Sequence, residues 1–220
     1  MASEPTLPAG AQSDMLCTKI RLAVDSDAKQ RFHLAALHWR RVAMLSSSSY
    51  EETSLVAAFA KLKQAVSLRA QAALRGVDAE DASARRADAQ ALTLGVLPLL
   101  SRRLDSQTLL PGRCTAEERA CYVVYMEEVL HHANMVIYTT QMRLFGLGVG
   151  YAAACHAATN LLRCCEEATL SPSDEKTAHA FILRLLDCML PASASLGTVT
   201  LGEEIRLASR LCNLFRAHRD

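Results

Sequence analysis

Residues 27–45 read DAKQRFHLAALHWRRVAML, and the spacing inside this stretch decides the fold. Phe32, Ala35, Ala36, Trp39, Val42 and Ala43 recur at the period of an α-helix and fall on one face. Asp27 followed by Gln30 has the form of a capping box, so a helix is expected from about Asp27 to Leu45. Upstream, Leu16, Ile20, Ala23 and Val24 mark an earlier amphipathic helix opened by Ser13 or Asp14, preceded by a Pro- and Gly-bearing tail over residues 1–12. Downstream, Ser46 to Tyr50 reads as a loop. A third helix, capped by Thr53 or Ser54, carries Leu55, Val56, Phe59, Leu62, Val66 and Leu68 toward a stop at Gly76.

The same pattern continues to the end. A fourth helix is expected from Ala79, polar through Arg86 and apolar from Ala91 to Leu104, with Pro98 kinking or breaking it. Pro111-Gly112 is a turn signal. Thr115 and Glu118 form a second capping box ahead of Tyr122, Tyr125, Val129 and Ala133, a pattern running toward Phe145. Gly146, Gly148 and Gly150 interrupt it before Tyr151 to Ala168. Ser171-Pro172-Ser173 opens a helix ending at Leu190, Ser193 to Thr200 is a loop, and Leu201 to His218 closes the chain. No strand is called for. The expected fold is all-α: an antiparallel helical bundle, or a short irregular solenoid of the tetratricopeptide kind, of roughly seven to nine helices. Residues 13–76 would form an N-terminal three-helix unit, with 77–220 packed on it as one continuous domain.

Composition supports helix and limits function. Half the residues are apolar, mostly Ala and Leu, which lose little side-chain freedom in a helix. Lys plus Arg number 24 against 23 Asp plus Glu, so the net charge of +1 recruits no nucleic acid. The eight cysteines lie along helical segments without a CxxC pair, as reduced thiols of a cytoplasmic protein would. Leu144 to Leu162 lacks formal charge but contains three glycines, His156 and Asn160, so a buried helix is expected there rather than a membrane span.

The aromatic–small–aromatic order Phe32, Ala35, Trp39, following an amphipathic helix, resembles the helical hairpins of tetratricopeptide repeats and of the microtubule-interacting and trafficking (MIT) domain. The resemblance covers Asp14 to Leu74, with Lys29-Gln30-Arg31 where those hairpins usually turn on glycine or asparagine. It implies that the small residue admits an antiparallel partner helix while the aromatics lock the pair. An approximate second copy, Gly150, Tyr151, Ala154, Ala158, Leu161 and Leu162, bears no fixed period to the first.

Three motifs carry possible chemistry. Glu128-Val-Leu-His131, with His132 beside it, has the ExxH spacing of di-iron bundles, but no second ExxH accompanies it. Gly148-Val-Gly150-Tyr-Ala-Ala153 spells a dinucleotide fingerprint without the strand that fingerprint requires, so a tight helix-to-helix connection or a close helix crossing is expected instead. Arg40-Arg41, Arg85-Arg86 and Arg102-Arg103 are short basic spots on helix faces. No catalytic residue, cofactor or metal ligand is assigned. The expected function is a non-enzymatic interaction module or adaptor that takes a partner helix or peptide in an interhelical groove. Trp39, Arg40, Arg41 and Lys63 are the candidate partner-binding residues. The alternatives are a subunit of a larger stable complex, or a helical metal-binding protein or enzyme using Glu128, His131 and His132.

Overall fold

A computed structural model describes residues 9–49, 54–106, 109, 115–132 and 148–196. These hold seven α-helices, with no strand among the described residues: α1 (Ala9–Ala28), α2 (Phe32–Ser49), α3 (Leu55–Ala72), α4 (Ala79–Asp105), α5 (Ala116–His132), α6 (Gly148–Glu166) and α7 (Pro172–Leu196). The all-α expectation holds. Consecutive helices α1 to α4 pack pairwise, α5 lies on α1, and α7 packs on α6 and α4. Helix α3 is the axis of the assembly, meeting α2, α4, α5 and α6. That is why Leu55 to Ala60 are buried without a break, where a surface helix would alternate. One apolar cluster extends from Leu16 in α1 to Leu185 in α7.

Local signals placed several ends correctly. Ser54 accepts the Ala57 N–H as the cap of α3, at 3.4 Å. Thr115 and Glu118 form the reciprocal box at α5: Thr115 N–H donates to Glu118 Oε2 at 2.9 Å, and Glu118 N–H to Thr115 Oγ1 at 3.2 Å. Ser171 Oγ accepts the Asp174 N–H at the start of α7.

Other boundaries moved, each for a physical reason. Asp25-Ser26-Asp27 closes α1 instead of opening α2, because the chain turns at Gln30. Helix α1 begins at Ala9, inside the segment expected to be a tail, and α2 runs on through Ser49. Within that extension Ser46 is buried and donates its hydroxyl to Val42 O at 2.7 Å, so its polar group is satisfied inside the helix. Helix α4 continues through Pro98. The ring is exposed while Val96, Leu97, Leu100 and Leu104 are buried, so packing on both sides outweighs a proline cost of about 3 kcal/mol. Helix α7 likewise continues past Pro191 to Leu196. The Pro111-Gly112 turn, the segment from Ala133 to Gly146 and the closing helix from Leu201 lie outside the described residues.

Helices α1 and α6 end alike. Gln30 N–H donates to Asp27 O and Arg31 N–H to Ser26 O; Ala168 N–H donates to Cys165 O and Thr169 N–H to Cys164 O. Each is a Schellman pair, which needs a left-handed residue at its turn. Gln30 has φ 55° and Ala168 φ 50°, where a Cβ costs on the order of 1 kcal/mol. Gln30→Gly and Ala168→Gly are each expected to raise the unfolding free energy by about 0.5–1 kcal/mol, read as a higher urea midpoint at unchanged slope. A lowered midpoint would mean that the native side chain makes contacts worth more than its strain.

Glycine serves the opposite purpose in α6. A Cβ on Gly150 would stand 2.7 Å from Leu109 Cδ2 and 3.0 Å from Leu55 Cδ1, so its absence lets α6 close on α3. The GxGxxA letters therefore record a close helix crossing. Further along α6, the buried Asn160 donates to Leu62 O at 3.5 Å and to Thr93 Oγ1 at 3.4 Å, fixing α6 against both α3 and α4.

Candidate functional site

Two neighbouring regions bear on function: a buried polar–aromatic network, and a groove on the outer face of the helices that enclose it. The network starts from Asp27 in the last turn of α1. Its Oδ2 accepts the Trp39 indole N–H at 2.9 Å, and its Oδ1 accepts the Ser67 hydroxyl at 3.0 Å. Lys63 Nζ lies 3.5 Å from Oδ2. It also stands 5.7 Å from the Trp39 ring centre and 5.8 Å from that of Tyr125. Trp39, Phe59 and Tyr125 meet edge to face, with centroids 4.9–6.1 Å apart. One carboxylate thus ties together α1, α2 and α3, and the rings extend the tie to α5.

Burial opposes the Lys63 ammonium, but Tyr125 and Asp27 outweigh it, and the Lys63 pKa is raised. His156, on α6 against Phe59, goes the other way: burial first, then the Lys63 charge, push it from 6.5 down to about 3. It is therefore neutral in the native state through ordinary pH. The unfolded chain takes up a proton below 6.5 that the folded chain refuses until about 3, so stability falls as pH drops through that window. The loss is about 1.4 kcal/mol per unit once the pH is well below 6.5. His38, lowered by burial and by the charges of Lys19 and Arg41, adds in the same direction. Urea midpoints measured from neutral pH to pH 5 are expected to fall by an amount worth about 1–2 kcal/mol, and His156→Phe should flatten the slope. An unaltered slope in that variant would contradict a buried neutral imidazole.

The groove runs between α3 and α4 beside α2, with a volume of about 550 Å³. It is lined by the apolar Leu68 and Leu92, the cationic Arg40 and Lys61, and by Asp88, Gln64, Ala91 and Gly95. Gly95 is exposed in the middle of α4, and a Cβ there would meet nothing within 4 Å. A glycine at such a position costs a helix about 0.5–1 kcal/mol, and no packing among the described residues requires it.

The four residues singled out from sequence divide between these regions. Trp39 has 0% exposure, so its ring packs the network and is not presented at the surface. Lys63 sits at the network's edge, its side chain 13% exposed. Arg40 lines the groove, and Arg41 is exposed one position further along α2. Sequence reading missed Asp27, Tyr125 and His156 as network members, and Lys61, Gln64, Asp88 and Gly95 as groove residues. Of these only Gly95, an isolated glycine in an apolar helical run, carried a readable signal.

Other titratable groups are engaged elsewhere. Glu128 pairs with Arg21 at 3.4 Å, and His132 faces Asp25 at 3.6 Å, so Glu128 and His132 point to separate partners on α1. Asp25 has its pKa lowered, chiefly by the Lys29 hydrogen bond. Arg69, with 5% of its side chain exposed, donates to Glu167 Oε2 at 2.8 Å and to Cys164 Sγ at 2.7 Å. Burial raises the Cys164 thiol despite Arg69, and raises Cys165 to about 11 with help from Glu175, so neither is a thiolate nucleophile at neutral pH. Among the described residues, the metal-ligand side chains that converge in a group of three are Cys165, Glu175 and His179.

Fold and site together define an all-α bundle of helical hairpins with a mixed apolar and cationic surface groove. The chain matches no family model, no curated protein and no solved structure. No helix among the described residues is long and apolar enough to cross a membrane.

Proposed function

We propose that this chain is a non-enzymatic interaction module, an adaptor that receives an acidic amphipathic helix or peptide from a partner protein in the α2–α3–α4 groove. The observation that carries the reading is Gly95 in its setting. The glycine gives up helix stability, meets no close packing among the described residues, and leaves open space beside Leu68, Leu92, Arg40 and Lys61. A partner's apolar side chains would settle on the two leucines, and its carboxylates would pair with the two cations, which outnumber the single acid Asp88. The kinship with tetratricopeptide or MIT hairpins belongs to the same proposal and rests on Phe32, Ala35 and Trp39. So does a reducing, cytoplasmic setting, which rests on free thiols at Cys17, Cys164 and Cys165.

Reversing both cations tests it. Arg40→Glu with Lys61→Glu alters surface charge and is expected to change folding stability by no more than about 0.5–1 kcal/mol. Captured from native cells, this variant should lose a partner chain that wild type and an Arg119→Glu control both retain. Equal recovery by all three would remove the groove from the function.

A second reading, a subunit of a stable complex, draws on a different feature. Leu37 and Met44 lie two turns apart on α2, 42% and 62% exposed, with Arg41 between them. Size-exclusion chromatography separates the two: a monomer at micromolar concentration, free of companions on purification from native cells, counts against a permanent complex.

A further inference from the structure

The α6–α7 hairpin brings together three side chains that the groove does not use. Helix α6 ends in the Schellman turn at Ala168, and α7 starts at Pro172, so the last turn of α6 faces the first turns of α7. Cys165 projects from α6, while Glu175 and His179, spaced i and i+4, share one face of α7. The Cys165 Sγ, a Glu175 carboxylate oxygen and a His179 ring nitrogen all lie within 4.8 Å of one another. His179 Nε2 and Glu175 Oε1 are 4.0 Å apart, longer than a hydrogen bond and near the spacing of two ligands around one ion. In a tetrahedral zinc site with bonds of about 2.0–2.3 Å, ligand atoms stand about 3.3–3.8 Å apart, so small side-chain rotations close the site without moving a helix.

We propose that Cys165, Glu175 and His179 bind one divalent zinc-class metal ion at this hairpin. Sulfur and imidazole nitrogen select Zn²⁺ or a similar borderline ion over Mg²⁺ or Ca²⁺, which prefer sites built wholly of oxygen. Charge balances as well. On binding, the Cys165 thiol gives its proton to solvent, and the thiolate and the Glu175 carboxylate together neutralise the dication while His179 binds neutral. The Cys165 side is buried, whereas 31% of the Glu175 side chain and 17% of the His179 side chain remain exposed, so the ion has a path in. Three protein ligands leave a fourth position for water or for a donor from another molecule. The ion would clamp α6 to α7 at the opposite end of α7 from its C-terminus, independently of the groove.

The full chain, purified, reduced and stripped of metal, is titrated with Co²⁺ alone and then with Zn²⁺. One equivalent of Co²⁺ should give tetrahedral ligand-field bands and a thiolate-to-cobalt charge-transfer band, both abolished by one equivalent of Zn²⁺. Cys165→Ser should lose the charge-transfer band, and Cys17→Ser should keep it. Glu175→Gln, a change at a partly exposed side chain, should keep that band but weaken binding by about tenfold or more, which preserves the test should Cys165→Ser fail to fold. Absence of stoichiometric binding, an octahedral spectrum, or a charge-transfer band that persists in folded Cys165→Ser overturns the site, as does Co²⁺ binding by Glu175→Gln as tight as by wild type.

Discussion

Trp39→Ala is expected to lower the unfolding free energy by about 3–5 kcal/mol, among the largest single-site losses this chain can show. The indole is wholly enclosed, and its edges meet Phe59 at 5.8 Å and Tyr125 at 6.1 Å. Truncation leaves a cavity lined by rings that cannot collapse into it, because each is held by a different helix. It also removes the N–H that Asp27 accepts. Trp39→Phe separates the two contributions: the ring survives, the hydrogen bond does not, and a smaller loss of about 1–3 kcal/mol is expected. Urea unfolding followed by far-ultraviolet circular dichroism measures both. A Trp39→Ala protein as stable as wild type would contradict the enclosure of the indole and reopen Trp39 as a surface anchor.

The second large effect is at Asp27. Asp27→Ala leaves the Lys63 ammonium without its carboxylate and strips the acceptor from the Trp39 indole, while the Ser67 hydroxyl keeps only Lys63 O, at an expected cost of about 3–5 kcal/mol. Lys63→Met removes the charge and keeps the stem, so it should cost less. The double variant should be less destabilised than the sum of the singles by about 1–3 kcal/mol, because the uncompensated charge is gone. Trp39 is the only tryptophan, so its fluorescence reports the unfolding of all three proteins directly. Strict additivity would mean that Asp27 and Lys63 do not act as a pair.

These two residues show what was and was not legible in the sequence. Trp39 could be placed on a buried face by its spacing from Ala35 and Val42, since helical period is a local property. Asp27 could not. Its letters fit a capping box with Gln30, yet its carboxylate is used 12 residues away at Trp39 and 40 away at Ser67, in contacts that exist only after three helices have packed. Pro98 and Pro191 misled for the same reason. Local propensity ends a helix at each, and burial along the apolar stripe carries α4 through Pro98. Arg40 was legible as a basic spot, but Lys61 and Gly95, which make it one side of a groove, come from two other helices. Likewise Glu175 and His179 are visible as a helical pair, whereas Cys165 joins them only through the left-handed turn at Ala168.

The groove is the centre of the functional account, and a photo-crosslinking residue placed at Gln64 interrogates it in the intact cell. Gln64 lines the groove, while Arg119 is exposed on α5, a helix that contributes nothing to it. Irradiation is predicted to join a discrete partner chain to the Gln64 probe through an acidic, amphipathic segment, and to join no such chain to a probe at Arg119. The same products from both positions, or no product from Gln64 beyond the chain itself, would contradict the groove as the place where this protein meets its partner.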